Sequence, residues 1–168
     1  MKKFKEIVTD LDREYKHMKY PNFPKAYIPE IQFLGTSTNV LEKKIVAFIQ
    51  LHGWTCERVK NTGTARVETL KRANGYNQSK VSYTKGTGLN GTADVRAVIN
   101  GISVSIEVKN SKTKDRMSEA QKSYKDQVEL SGGIYYVASE IESFVEWFNS
   151  NFNKHPQWDK AVLKSYAK

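Results

Sequence analysis

Cysteine is almost missing from this chain: Cys56 is the only one in 168 residues, so no internal disulfide can form. His52 and Cys56 offer two neighbouring zinc ligands at most, and no second pair exists to complete a tetrahedral site. A buried thiol and a helix-end histidine are the expected roles. No apolar run in the chain approaches the roughly 18 residues that a membrane span needs. The opening MKKFKEIVTDLDREYK is basic and has no apolar stretch of the signal-peptide kind, so a cytoplasmic location is expected. Acid is short as well. Eighteen Asp and Glu against 27 Lys and Arg leave a formal charge of +9 and an isoelectric point near 9.5. That excess suits a polyanionic partner, nucleic acid or an anionic membrane surface. One domain of about 150 residues buries about 70% of its unfolded surface, enough for a core.

What is present is concentrated in residues 92–109, TADVRAVINGISVSIEVK. Two β-rich runs flank Asn100-Gly101, a dipeptide that tolerates positive φ and favours a two-residue type I′ turn. With that turn Ile99 faces Ile102, and Asp94 lies opposite Glu107 in a non-hydrogen-bonded pair, where side chains approach closest. One face then carries Val95, Ala97, Ile99, Ile102, Val104 and Ile106; the other carries Asp94, Arg96, Val98, Ser103, Ser105, Glu107 and Lys109. Two carboxylates about 5 Å apart at an effective dielectric of about 20 repel by roughly 3 kcal/mol. A shared proton, Lys109 or Arg96 would relieve this. A divalent cation suits the pair best, because Mg²⁺ takes oxygen ligands and is commonly held by one or two carboxylates. The plainer alternative is an exposed sheet face whose charges only solvate the protein.

Elsewhere, apolar residues at helical spacing predict helices over 2–19, about 39–52, 118–131 and about 140–152. Strands are expected at 54–60 and 134–138. The resulting order, α-β-β-β-α-β-α, suits an α/β domain with a mixed sheet. Three segments follow: residues 1–36, a helix and a proline-containing connector; 37–152, the core; and 153–168, a tail. Residues 61–91 look least regular. They hold Arg66, Lys71, Arg72, Lys80 and Lys85 against Glu68 alone, together with Tyr76 and Tyr83. Such a stretch can follow a phosphate backbone while aromatics stack on bases; the alternative is a solvated loop or a peripheral hairpin. Ser118-x-x-Gln121 and Asn39-x-x-Glu42 both have the form of capping boxes.

An Asp followed on the next strand by Glu-x-Lys resembles the PD-(D/E)xK nuclease core. GTADVRAVINGISVSIEVK, SEAQKSY and SGGIYYVA resemble its VRR-NUC branch, found in phages and mobile elements and related to Holliday-junction resolvases. HGWTCERVKNTG is similar to the strand after the first helix of those resolvases. The likeness covers about residues 39–148, with Ala93 in place of the proline of the family name.

This resemblance implies a restriction-endonuclease-like fold and a Mg²⁺-dependent DNA endonuclease, with Mn²⁺ as a substitute. It implies Asp94, Glu107 and the Val108 carbonyl as metal ligands, with Glu42 as a further acid on the first helix acting through water. Lys109 would orient the attacking water or stabilise the transition state, Gln121 would sit near the site, and Tyr124 would lie one helical turn on. A homodimer, junction or branched DNA as substrate, and a phage or mobile-element origin in a bacterial host are also implied. Two other readings stand beside it: a non-catalytic DNA-binding accessory module, and an RNA-binding module, for which no RRM- or KH-like motif is present.

Overall fold

Apolar residues three and four apart give this chain its helices. The structure, a computed structural model, describes residues 3–59, 63–71, 77–84, 89–110 and 116–152. Helix α1 (Phe4–Lys19) buries Phe4 and Val8 and packs Ile7, Leu11 and Tyr15 against the core, while Met18 near its end is exposed. A short 3-10 turn, Lys25–Tyr27, interrupts the connector that follows. Helix α2 (Thr38–Leu51) buries Ile45, Phe48 and Ile49. Its N-cap is Ser37, so the Asn39–Glu42 capping box does not form. Arg58 binds both of those side chains instead, donating to Glu42 and to Asn39.

The strands are β1 (Thr55–Arg58), β2 (Thr64–Lys71), β3 (Asn77–Thr84), β4 (Val95–Ile99), β5 (Ile102–Val108) and β6 (Ile134–Ala138). Four of them form a mixed sheet in the order β1-β4-β5-β6, antiparallel except for the parallel pair β5 and β6. One sheet face, with Val95, Ala97, Ile99, Val104 and Ile106, meets α1, α2 and α4 (Ile141–Asn151) in a single core. Phe48 meets Phe144 and Phe148 edge-on, with ring centres 5.8 and 5.1 Å apart, an arrangement that aromatic quadrupoles favour. His52 and Cys56 are buried in this layer, as expected for packing residues. Burial lowers the His52 pKa and pushes the Cys56 thiol up to about 12.

Within the least regular segment, residues 64–71 and 77–84 form the peripheral hairpin that stood as the alternative to an irregular stretch. β2 and β3 pair along their whole length as a separate two-stranded ribbon. Val67, Val81 and Tyr83 are exposed on one of its faces, and Arg66, Glu68 and Lys80 on the other. No side chain described on either face is buried, so this pair lacks the core-facing side that anchors an ordinary strand.

Candidate active site

The hairpin turn sets the site. Asn100 and Gly101 have φ of 52° and 78°, the positive values that a type I′ turn requires at both central residues. The strands then pair from Ile99 with Ile102 to Val95 with Ile106, the register the turn predicts. Ile102, beside the turn, departs from the expected buried face and is 37% exposed. Carried one pair beyond the strand, this register sets Asp94 opposite Glu107.

Asp94 is fastened to both neighbouring strands. Its carbonyl accepts from the Val59 amide at 2.8 Å, and its Oδ2 accepts from the Val108 amide at 2.9 Å. In a strand the N–H and C=O of one residue point to the same side, so the Val108 carbonyl faces the Asp94 side. The next amide, of Lys109, donates the other way, to the Ala138 carbonyl at 2.9 Å.

Glu107 is only 3% exposed. Its Oε1 accepts from the Gln121 amide and from Lys109 Nζ, the latter at 3.2 Å; its Oε2 accepts from the Tyr135 hydroxyl at 3.5 Å. Burial, and next the Asp94 charge, push its carboxyl above the ordinary 4.5, while Lys109 and Tyr135 pull the other way. Burial also raises the Tyr135 phenol.

The cap and site readings of Gln121 hold together. Ser118 and Gln121 close the capping box at the start of α3 (Glu119–Leu130), with Ser118 N donating to Gln121 Oε1 at 2.9 Å. The same Gln121 oxygen accepts from Lys109 Nζ at 3.2 Å, and its amide nitrogen donates to Glu107. The cap therefore aims the side chain at the acid. Gly91, at φ of 78°, lets the loop before Asp94 lie against the first turn of α3, where a Cβ would collide with the Ala120 carbonyl.

Asp94, Glu107, Lys109 and Gln121 are thus brought together, with the Val108 backbone beside them. Glu42 is held by Arg58. Among the described residues no three His, Cys, Asp or Glu side chains form a metal-holding group, so Glu42 does not join the acid pair. The donor set of two carboxylates and a backbone carbonyl still fits Mg²⁺, which usually completes its shell with water and phosphate oxygen.

Tyr135 was missed by sequence reasoning, and so was Arg58. Alternation within IYYVA puts one of its two tyrosines on the Glu107 face, but which one depends on the parallel register with β5, and no turn fixes that. The Tyr135 ring meets the Tyr124 ring edge-on at 6.3 Å, and the Arg96 guanidinium sits 6.0 Å from the Tyr124 ring.

Of the basic set, Arg66 and Lys80 are exposed on one ribbon face, and Lys71 ends β2. Arg72, Tyr76 and Lys85 lie outside the described residues. The ribbon is inserted between Val59 and Asp94, whose backbones are hydrogen-bonded, so the chain leaves and returns at the end of the sheet that carries the acids. No protein-family model, curated protein or solved structure matches this chain.

Proposed function

We propose that this protein is a Mg²⁺-dependent DNA endonuclease built on a PD-(D/E)xK core, in which α2, β1, β4, β5, α3 and β6 are the core elements. One observation carries the reading: a buried Glu107 shares the end of a hairpin with Asp94 while Lys109 and Gln121 hold one of its oxygens. Burying a carboxylate beside another is unfavourable for an apo protein, and a bound cation resolves it.

Asp94 and Glu107, with the Val108 carbonyl, would hold Mg²⁺ or Mn²⁺. A divalent ion bound there lowers the pKa of a coordinated water and stabilises charge on a phosphate. Lys109 presents an ammonium at the Glu107 carboxylate, where it orients a water molecule and attracts the charge that develops on the phosphodiester. Gln121 accepts from Lys109 and donates to Glu107, which fixes the acid relative to the base. Arg66 and Lys80 on the ribbon, with Lys71, Arg72 and Lys85 from the same segment, supply charge for the DNA backbone. Junction or branched DNA is the substrate class this reading favours. A homodimer would place two sites across a two-fold axis, as symmetric cleavage of two strands requires. The chain has no described helix long and apolar enough to cross a membrane. A cytoplasmic, phage or mobile-element setting belongs to the same reading.

The test is cleavage of linear, nicked, flap and four-way-junction DNA with Mg²⁺ or Mn²⁺. Wild-type protein should cut at least one of them, and Asp94→Asn and Glu107→Gln none. A wild type that binds DNA yet cuts nothing with either ion would instead be a DNA-binding accessory protein.

A further inference from the structure

The Tyr135 hydroxyl is buried, and the chemistry above gives it no task. Tyr135 is 8% exposed and sits on β6 two residues before Val137, which pairs with Glu107. Its ring is fixed from outside by the edge contact with Tyr124, and Tyr124 in turn lies under the Arg96 guanidinium. Its hydroxyl lies 3.5 Å from Glu107 Oε2, whereas the Gln121 amide and Lys109 Nζ meet Oε1. The carboxylate is therefore held from two sides, by a cation and an amide on one oxygen and by a neutral phenol on the other.

We propose that Tyr135 is a positioning residue, whose hydroxyl fixes the plane of the Glu107 carboxylate for a divalent cation shared with Asp94. This rests on the metal-nuclease reading above. A carboxylate without this donor rotates more freely about its last torsion, which is broad and soft, and binding the ion must then order it. The ammonium of Lys109 cannot substitute, because it engages the other oxygen and competes with the cation for charge. A neutral donor holds Oε2 without that competition. Removing groups that orient a metal ligand typically reduces metal affinity or activity by about 10–100-fold.

The experiment measures Mn²⁺ binding to the full chain by calorimetry without DNA, and DNA binding separately in EDTA. Tyr135→Phe keeps the ring and its packing on Tyr124 and removes only the hydroxyl. Its Mn²⁺ affinity should fall by about tenfold or more, while affinity for DNA in EDTA stays at the wild-type value and the melting temperature without metal falls by no more than the few degrees that one lost hydrogen bond costs. Equal Mn²⁺ affinity in the variant and the wild type would overturn the proposal, and if the wild type still cuts DNA, the nuclease reading survives. A variant that also loses DNA affinity or melts much earlier would make Tyr135 a packing residue and overturn it too. A wild type that neither binds Mn²⁺ nor cleaves would remove both readings.

Discussion

Replacing Asp94 by Asn should stabilise the metal-free protein while abolishing its activity. For carboxylates about 5 Å apart, the spacing of directly opposed residues on paired strands, an effective dielectric of about 20 gives a repulsion of about 3 kcal/mol when both are charged. The amide oxygen of Asn can still accept from the Val108 amide, which Asp94 does at 2.9 Å. Exchanging a charged acceptor for a neutral one weakens that bond by about 1 kcal/mol. The net gain is about 2 kcal/mol, or about 4–8 °C in melting temperature for a chain of this size. The pH dependence gives the reasoning its sign. The Glu107 carboxyl is raised in the folded state, by burial first and by Asp94 second. Its contribution to stability is therefore fully present below its unfolded pKa and is lost as pH rises through the folded value. Asp94→Asn removes part of that loss, so the variant's advantage should be small near pH 4 and grow toward pH 7.5. Thermal unfolding in EDTA across this range measures it. Added Mg²⁺ should reverse the order, since at 100 times its Kd a ligand that binds only the native wild type adds about 2.7 kcal/mol. A variant less stable than wild type at pH 7.5 in EDTA, or one with the same advantage at both pH values, would refute the repulsion argument.

Lys109→Ala should lower the single-turnover cleavage rate by more than it lowers Mn²⁺ affinity, because the ammonium acts beside the ligands and is not one of them; an equal loss in both would make it a counter-ion only. Gln121→Ala removes an N-cap partner and a Glu107 donor together. It should lower stability by about 1 kcal/mol and also reduce cleavage measured well below its melting temperature. Gly91→Ala should destabilise the protein by several times that amount, because the new methyl meets backbone that cannot move aside, and circular dichroism melts would show it. Neutralising Arg66 and Lys80 to Gln should flatten the slope of log affinity against log salt by about 0.7–0.9 for each phosphate that is no longer neutralised, while single-turnover cleavage at saturating protein survives.

The site was legible where local chemistry fixes geometry. Asn100-Gly101 can adopt positive φ in sequence, the two-residue turn locks the register, and the register alone brings Asp94 toward Glu107. Ser118 and Gln121 were legible for the same reason, since a capping box is a short-range pattern. Long-range pairings were not. The parallel register of β6 that brings Tyr135 to Glu107 is set by packing, and Arg58 reaches α2 only once β1 has docked. The ribbon was legible only as one of two alternatives, because a strand pair whose described side chains stay exposed has no core contact to distinguish it from a solvated loop.

The placement of that ribbon bears on how the protein reaches its folded state. β4 and β5 are joined by two residues and can pair early, whereas β1 must find β4 across the whole ribbon. The hairpin holding Glu107 is thus a local structure, whereas the pairing of β1 with β4 joins residues far apart in sequence, the kind of contact that slows folding. Closing a longer loop is thermodynamically mild, about 0.6 kcal/mol for each doubling of its length. The segment between Val59 and Asp94 can therefore lengthen, shorten or change its surface with little penalty to the sheet, while the acids stay where the turn puts them.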